Sequence, residues 1–184
     1  VMHKSNGNYL TDELTQMASE FIDRNKNQSF FLMLAYSAPH SPFQAHKEII
    51  DKYIEKGFDR ITSITYAMIE IMDTGIGKIL DKLDNLKIDK DTIVMFTSDN
   101  GPAFFNPPFM LEAGESNFNE RFNAGLKGSK GWVYEGGIRV PMVIRYPAEL
   151  KQNVINQELS HFTDWLPTLA SICGIEKIND LPLD

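Results

Sequence analysis

The sequence is poor in the residues that build cross-linked or membrane-spanning proteins. Cys173 is the one cysteine among 184 residues, which excludes an intrachain disulfide. No apolar run approaches the roughly 20 residues that a membrane-spanning helix needs, so we predict no membrane span. The net charge of -7 gives the chain no overall attraction for nucleic acid, and we expect no such partner. An acidic chain that binds an anionic substrate needs local cations at the site.

Several common catalytic motifs are also missing. The chain contains no G-x-S-x-G, no Walker A loop and no cysteine–histidine pattern for zinc. Cys173 follows the apolar face of a predicted helix, where a buried small side chain is more common than a nucleophile. The chemistry of this protein must therefore come from other residues.

Apolar residues that recur at threes and fours predict four helices. They cover residues 10–22, 46–55, 61–83 and 164–172. Thr11 or Asp12 is the predicted N-cap of the first helix, and Asp164 that of the last. The helix over 61–83 has the clearest amphipathic pattern.

Three short apolar stretches predict strands, at residues 30–36, 92–97 and 142–146. The first is apolar along its length, which is typical of a strand buried on both faces. Alternation of helices and strands predicts an α/β protein with βαβ units and a mainly parallel sheet. No domain boundary is predicted.

The strand over 92–97 ends abruptly at Ser98-Asp99-Asn100-Gly101. In open α/β sheets, ligands bind at the carboxyl ends of the strands. Asp99 and Asn100 offer three oxygen atoms of the kind that Ca²⁺ prefers. Asn-Gly also forms turns readily. The residues alone leave a metal site and a plain turn open.

Two further loops carry polar groups suited to an anion. His40 follows the strand over 30–36 and is able to donate a hydrogen bond or act as an acid. Lys127 and Lys130 lie among three glycines, which let the backbone approach a ligand, and lysine is a point charge for an oxyanion. The alternatives are a histidine bonded to the backbone and a flexible, solvated basic loop.

Residues 101–131 show no periodicity, and a loop of this length is usually functional or disordered. Phe104, Phe105 and Phe109 within the loop, and Trp132 just beyond it, either line a pocket or pack the loop itself. Beyond the loop, Glu135 and Arg139 are spaced for an ion pair. The two glycines between them argue against a helix there.

Four stretches in this order and spacing resemble the sulfatase family, within the alkaline-phosphatase-like superfamily. They are Phe30 to Pro42 (FFLMLAYSAPHSP), Tyr66 to Leu80 (YAMIEIMDTGIGKIL), Thr92 to Gly101 (TIVMFTSDNG) and Leu126 to Pro141 (LKGSKGWVYEGGIRVP). The tail HFTDWLPTLASICGI resembles the family's D-x-x-P-T segment. The resemblance covers nearly the whole chain and implies a mainly parallel sheet sandwiched by helices.

The resemblance also implies roles for four residues. Asp99 and Asn100 match two of the family's ligands for one Ca²⁺ ion. His40 matches the histidine that contacts the sulfate group and assists the leaving oxygen. Lys130 matches the lysine that binds the sulfate oxygens, so His40 and Lys130 are expected to be both catalytic and substrate-binding. Lys127 stands where the family commonly has arginine, and it is assigned no catalytic role.

Part of the family pattern is missing from these 184 residues. The family's nucleophile is a formylglycine made from Cys or Ser in an upstream C-x-P-S-R type motif, which this chain lacks. The paired aspartates that complete the calcium site are missing too. We therefore expect residues 1–184 to be the central and C-terminal part of a sulfatase catalytic domain, without its N-terminal part and its C-terminal subdomain.

By this resemblance, the function is that of a sulfuric ester hydrolase that releases inorganic sulfate from a sugar or aryl sulfate ester. The expected partner is a sulfated small molecule or carbohydrate, and the family suggests a periplasmic, secreted or lysosomal location. The 184 residues alone are expected to be inactive. Two alternatives stay open: a phosphodiesterase or phosphonate hydrolase of the same superfamily, and a non-catalytic domain.

Overall fold

The structure is a computed structural model that describes residues 8–119 and 121–175. The chain divides into two compact units, Val1–Leu150 and Lys151–Asp184. No boundary at this point was predicted, because the composition there does not change. In the structure, residues 151–160 are exposed throughout and form no helix or strand.

The predicted helices of the first unit are confirmed. They are α1 (Leu10–Asn25), α2 (Lys47–Ile54) and α3 (Arg60–Leu86), and α1 and α2 both pack against α3. Asp59 caps α3 by accepting a hydrogen bond from the Thr62 N–H at 3.0 Å. The predicted N-cap of α1 is wrong: Tyr9 takes that position without a side-chain bond, and Thr11 is buried inside the first turn.

The core of the first unit runs along α3. Its buried apolar side chains recur at helical spacing: Ile61, Ile64, Ala67, Met68, Ile71 and Leu83. Ala18 and Ile22 of α1 are buried as well. Gly75, in the middle of α3, is needed because a methyl group there would crowd the Thr15 side chain of α1. α3 is therefore the element on which the other parts of the unit pack.

Two strands form the sheet of the described residues, β1 (Val94–Thr97) and β2 (Met142–Arg145). They pair antiparallel, with Thr97 opposite Met142. The mainly parallel sheet is thus not confirmed. A parallel pair needs a long crossover, usually a helix, whereas the segment 98–141 leaves β1 and returns to β2 at the same end of the pair.

The segment 30–36 does not form the fully buried strand that was predicted. It pairs with no other strand of the described residues, and exposed residues alternate with half-buried ones along it. Phe31 and Met33 are 77% and 78% exposed. The opposite side packs on α1, where Phe30 meets Phe21 edge to face and the Tyr36 hydroxyl bonds Thr15 Oγ1 at 2.7 Å. The unbroken apolar run predicts burial on both faces. In the structure, α1 covers the face with Phe30 and Tyr36, whereas Phe31 and Met33 on the other face are exposed.

The second unit contains α5 (Trp165–Ile172), which confirms the last predicted helix, preceded by a 3-10 turn over Phe162–Asp164. Asp164 stands at the N-cap position of α5, but its carboxylate accepts from the His161 N–H at 2.7 Å instead. Cys173 is exposed rather than buried, because it follows the last turn of α5. Among the described helices, none combines the length and apolarity that crossing a membrane requires.

Candidate active site

β1 places Asp99 and Asn100 in the turn that follows its last residue. The Ser98 hydroxyl donates to the Asn100 carbonyl at 3.1 Å, and Asn100 Nδ2 donates to the Gly101 carbonyl at 2.9 Å. These bonds hold the turn and use the amide nitrogen of Asn100, so its Oδ1 stays available as an acceptor. The Asp99 side chain is exposed.

Backbone contacts between glycines join this turn to the segment 125–139. The Gly101 N–H donates to the Gly137 carbonyl at 2.9 Å. A methyl group on Gly101 would overlap the carbonyl oxygen of Gly136, and one on Gly136 would overlap that of Gly128. Only glycine permits such close approach. We call Gly101, Gly128, Gly136 and Gly137 the glycine cluster.

Further backbone contacts hold residues 127–130, which we call the lysine turn. The Lys130 N–H donates to the Pro102 carbonyl at 2.9 Å, and the Lys127 carbonyl accepts from the Gly136 N–H at 2.8 Å. Lys130 itself is exposed. Its backbone is bonded to Pro102, which directly follows Gly101, so the backbone of this segment is held to the turn of Asp99 and Asn100 while the lysine side chains are exposed.

His40 lies in a loop that packs on α3. Ala38 is buried against Ile64 and Met68, and Phe43 packs on the same cluster. The His40 ring contacts the Ser41 carbonyl oxygen through Nδ1 at 2.8 Å. A carbonyl oxygen only accepts, so Nδ1 carries the hydrogen and Nε2 is left for a ligand.

Arg121 connects the His40 loop to the long loop. It is 8% exposed, and its Nη1 donates to the Thr65 hydroxyl of α3 at 3.2 Å. Its guanidinium carbon lies 6.0 Å from the centre of the Phe43 ring, within cation–π range. Burial lowers the pKa of Arg121 from its ordinary value. One buried side chain therefore touches both α3 and the segment that follows His40.

A second arginine fixes the middle of the long loop. Arg60 Nε and Nη2 donate to the two carboxylate oxygens of Glu115 at 2.7 and 2.8 Å, and Nη2 also donates to the Met110 carbonyl. The hydrogen bonds from Arg60 hold the pKa of Glu115 at about 2. The loop is thus attached to α3 at Arg60 and at Thr65.

The structure brings three of the four predicted site residues into one bonded region. Asp99, Asn100 and Lys130 lie on segments that are hydrogen-bonded to each other around Gly101. The hydrogen bonds of His40 within residues 8–119 and 121–175 stay inside its own loop. Contact between the His40 loop and the long loop runs through Arg121.

The donor set at Asp99 and Asn100 fits a hard cation by type. A carboxylate and an amide oxygen are ligands that Ca²⁺ prefers, and Ca²⁺ takes six to eight oxygens. In the part of the chain that the structure describes, no group of three or more His, Cys, Asp or Glu residues could hold a metal. Asp99 and Asn100 alone would supply only part of the six to eight oxygens of such a site.

The ion pair predicted between Glu135 and Arg139 is confirmed, with Arg139 Nη1 3.0 Å from Glu135 Oε2. The expectation that no helix forms there is wrong. Residues Glu135–Ile138 make a single helical turn, α4, because the glycine contacts described above fold the backbone tightly.

The aromatic residues of the long loop fall into two groups. Phe104 is buried and meets Phe118 edge to face, so it packs the loop, whereas Phe105, which also meets Phe118, is 60% exposed and Phe109 is 80% exposed. Trp132 is exposed and stands 6.1 Å from Tyr134, measured between ring centres. Tyr134 was not among the predicted site residues, although it stands two residues before the Gly136-Gly137 pair, which was a signal of close backbone packing.

The Sulfatase family model matches residues 2–175 of this chain. Steryl-sulfatase of Mus musculus is 33% identical over 180 residues, which cover 95% of this chain and 26% of the relative. N-acetylgalactosamine-6-sulfatase of Mus musculus is 32% identical over 177 residues, which cover 95% of this chain and 31% of the relative. The chain thus spans about a quarter to a third of the length of these curated relatives.

The fold is similar to that of solved structures as well. Ps i-CgsB in complex with k-i-k-neocarrahexaose superposes with a TM-score of 0.76 at 32% identity, over 94% of this chain and 35% of that one. The solved structures similar to this chain are sulfatases with the alkaline-phosphatase-like fold. The prediction of that fold is therefore confirmed, apart from the parallel sheet.

Proposed function

Since the chain belongs to the sulfatase family, we propose that it serves the hydrolysis of sulfuric esters and supplies part of a calcium and sulfate-binding site. The reaction releases inorganic sulfate from an organic sulfate ester. Asp99 and Asn100 are the proposed metal ligands, and His40 and Lys130 the proposed substrate-binding and catalytic residues.

The observation that carries this proposal is the pair of backbone bonds around Gly101. The bonds from Gly101 to Gly137 and from Lys130 to Pro102 are both 2.9 Å long. They place the lysine turn beside the turn of Asp99 and Asn100. A cation-binding turn next to an exposed ammonium suits an oxyanion, because the metal and the lysine both attract its oxygens.

Lys130 and His40 differ in what they do to the ester. The Lys130 ammonium binds a sulfate oxygen and offsets the negative charge that grows there as the bond to the leaving oxygen breaks. His40, whose Nδ1–H is directed to Ser41, presents Nε2 to the leaving oxygen and donates a proton from it in the imidazolium form.

Calcium, when bound at Asp99 and Asn100, would supply Lewis-acid stabilisation of negative oxygen atoms. The turn that holds Asp99 and Asn100 orients these ligands even without a bound ion. The Asn100 Nδ2 bond to the Gly101 carbonyl orients the amide so that Oδ1 serves as a ligand. The exposed Asp99 carboxylate needs no rearrangement of a neighbouring bond.

A sulfated carbohydrate is the proposed substrate class. One relative acts on an N-acetylgalactosamine 6-sulfate by name, and a solved neighbour holds a neocarrahexaose. The chain has a net charge of -7, so an anionic substrate depends on local cations such as Lys130.

Calorimetric titration of the 184-residue chain tests the metal and sulfate sites. We expect weak Ca²⁺ binding, with a Kd on the order of 1 mM, because affinity follows the number of charged ligands. Asp99→Asn should abolish the binding, whereas the matched variant Asp91→Asn, in the loop before β1, should leave it unchanged. Equal affinity of the two variants would contradict the assignment of Asp99.

Inorganic sulfate is then titrated in the presence of Ca²⁺. Lys130→Gln should weaken sulfate binding, whereas Lys90→Gln, an exposed lysine outside the site, should not. The chain alone is expected not to turn over 4-nitrophenyl sulfate, because it lacks the nucleophile motif. Turnover by the purified chain would show that another residue acts as nucleophile and would overturn the proposed division of roles.

A further inference from the structure

Trp132 and Tyr134 form an exposed aromatic surface next to the lysine turn. Trp132 is 50% exposed and Tyr134 42%, and the two rings are tilted by 42°. Their faces thus make a shallow V rather than a packed stack. The other aromatic cluster of the long loop has a different geometry, because Phe118 meets both Phe104 and Phe105 edge to face, and Phe104 is buried.

The backbone holds these two rings in place. Gly128 has a φ of +87°, which favours glycine, and a methyl group on it would lie 3.0 Å from Tyr134 Cβ. The Trp132 N–H donates to the Ser129 carbonyl at 3.0 Å. The aromatic surface is therefore built by the same close contacts as the glycine cluster. Little backbone entropy therefore remains to be lost when a ligand binds to it.

A lysine completes the surface. Lys127 Nζ lies 4.0 Å from the centre of the Tyr134 ring, so the ring faces one side of the ammonium group. An ammonium carries three N–H donors, and those directed away from the ring remain for an anion. In a chain with a net charge of -7, such a cation beside two exposed rings favours a ligand that is both anionic and partly apolar.

Sulfated sugars have both properties. The C–H face of a pyranose ring is apolar and lies flat on an aromatic ring, while its ester sulfate is a compact anion. Lys127 is three residues from Lys130, and their backbones bond to Gly136 and Pro102 on the two sides of the lysine turn. A carbohydrate bound at Lys130 therefore lies near the aromatic surface of Trp132 and Tyr134.

We propose that Trp132, Tyr134 and Lys127 form a carbohydrate subsite that stacks a hexose ring and binds a sulfate group with the Lys127 ammonium. The subsite rests on the proposed function, since it extends the substrate site from Lys130. It gives Lys127 a role in binding specificity that is separate from sulfate-ester cleavage. It also explains why Trp132 stays exposed, since burial would cover the stacking face.

Tryptophan fluorescence tests the subsite directly. The chain has two tryptophans, so Trp165→Phe leaves Trp132 as the only tryptophan. This variant is titrated with N-acetylgalactosamine 6-sulfate and galactose 4-sulfate, and with unsulfated N-acetylgalactosamine. We expect a saturable change in Trp132 emission for all three sugars, with the sulfated sugars bound about three- to tenfold more tightly, the range expected of one partly exposed charge contact.

Lys127→Gln in the same background should reduce the affinity for the sulfated sugars to that for the unsulfated one. Lys127→Arg should retain the preference, and Lys90→Gln is the matched control. An equal loss of affinity for all three sugars would show that Lys127 merely supports the Tyr134 ring, and it would overturn the proposed sulfate contact. Circular dichroism confirms that each variant is folded.

Two outcomes separate the subsite from the sulfate site. If Lys130→Gln abolishes the change in Trp132 emission while Lys127→Gln leaves the affinity for all three sugars unchanged, the subsite is wrong and the proposed function stands. If none of the sugars changes the emission of Trp132, the aromatic surface is a packing face and the subsite is again wrong. The calcium and sulfate titrations described above decide the proposed function independently of this result.

Discussion

In the first three turns of α3 most side chains are buried, whereas around Gly101 and Gly136, in the segment 98–141, it is the glycine backbone that is buried. Ser63 and Ala67 of α3 are fully covered. Gly101, Gly136 and Gly137 are buried in the other region, while Asp99, Lys130 and Trp132 beside them are exposed. One region uses its side chains to hold the fold, and the other leaves them available for chemistry.

This difference shows how a long segment with little helix or strand of its own is kept in one shape. Backbone contacts at the glycine cluster and two arginine contacts with α3 add to the packing of the buried Phe104 ring. Because these contacts use the backbone of residues 127 and 130, the side chains of Lys127 and Lys130 remain available to a ligand. The following predictions test this contrast.

The largest effect is expected in α3. Ile61 is 1% exposed, so Ile61→Ala should destabilise the protein by about 2–5 kcal/mol through lost burial and a cavity. Ile69, on the same helix but 38% exposed, is the matched control, and Ile69→Ala should cost less than about 1 kcal/mol. Urea denaturation measures both, and similar losses would mean that burial along α3 does not decide stability.

The next effect concerns the glycine cluster. Gly101→Ala forces a methyl group into the Gly136 carbonyl and should cost about 1–3 kcal/mol. Hydrogen exchange should show faster exchange of the residue-101 and residue-130 amides, because both bonds adjoin this contact. The amides of α3 should be less affected.

Gly77→Ala is the matched control for Gly101→Ala. Gly77 lies inside α3, and a methyl group on it would meet nothing within 4 Å, so alanine should stabilise the helix by about 0.5–1 kcal/mol. The same substitution should therefore have opposite signs in the two regions. If both substitutions changed the free energy of unfolding in the same direction, the contrast between α3 and the glycine cluster would be wrong.

A smaller effect follows from the attachment of the long loop to α3. The pKa of Glu115 is about 2 in the folded protein, below its ordinary value of 4.5, because Arg60 binds the carboxylate. A lowered folded-state pKa means that the stabilisation is complete above about pH 4.5 and is lost as the pH falls toward 2. Glu115→Gln should cost about 1–2 kcal/mol at pH 7.

Thermal unfolding at several pH values checks this prediction. The difference in stability between the wild type and Glu115→Gln should shrink as the pH is lowered from 5 to about 2.5. Glu112→Gln is the comparison: Glu112 Oε1 also lies 3.3 Å from Arg60 Nε, but this side chain is 71% exposed, so its loss should be smaller and should depend less on pH. A difference that stays constant with pH would show that the charge of Glu115 does not contribute.

The smallest effect is expected for the ion pair in α4. Arg139 and Glu135 are 65% and 61% exposed, so Arg139→Ala should cost no more than about 0.5 kcal/mol. The loss should fall further in 0.5 M salt, because an exposed pair is screened. A loss above about 1 kcal/mol, or one that salt does not change, would indicate that Arg139 has another partner.

Helical periodicity was the most reliable signal in the sequence. The patterns from Leu10 and from Ile61 predicted α1 and α3, because a helix that packs on one side repeats its apolar residues at a fixed spacing. The strand prediction over 30–36 was less accurate. An unbroken apolar run does not say which of its faces is covered, and Phe31 and Met33 are exposed.

The residue types of the candidate site were also apparent in the sequence. Asp99, Asn100, His40 and Lys130 were selected because each stands in a loop after an apolar stretch or among glycines, and together they matched one family. Their roles stay predictions. The contacts that attach the long loop to α3 were not apparent from the sequence. Arg121 and Arg60 look like ordinary charged residues until their partners, Thr65 and Glu115, are known.

The sequence by itself determined the helices, the identity of the polar loops and the family, because these follow from local periodicity and from the order of short motifs. Tertiary structure decided the antiparallel pairing of β1 with β2, the face of 30–36 that α1 covers, and the bonding of Gly101 to Gly137. Those features depend on contacts between residues far apart in the chain. No local pattern encodes which of two distant backbones will meet.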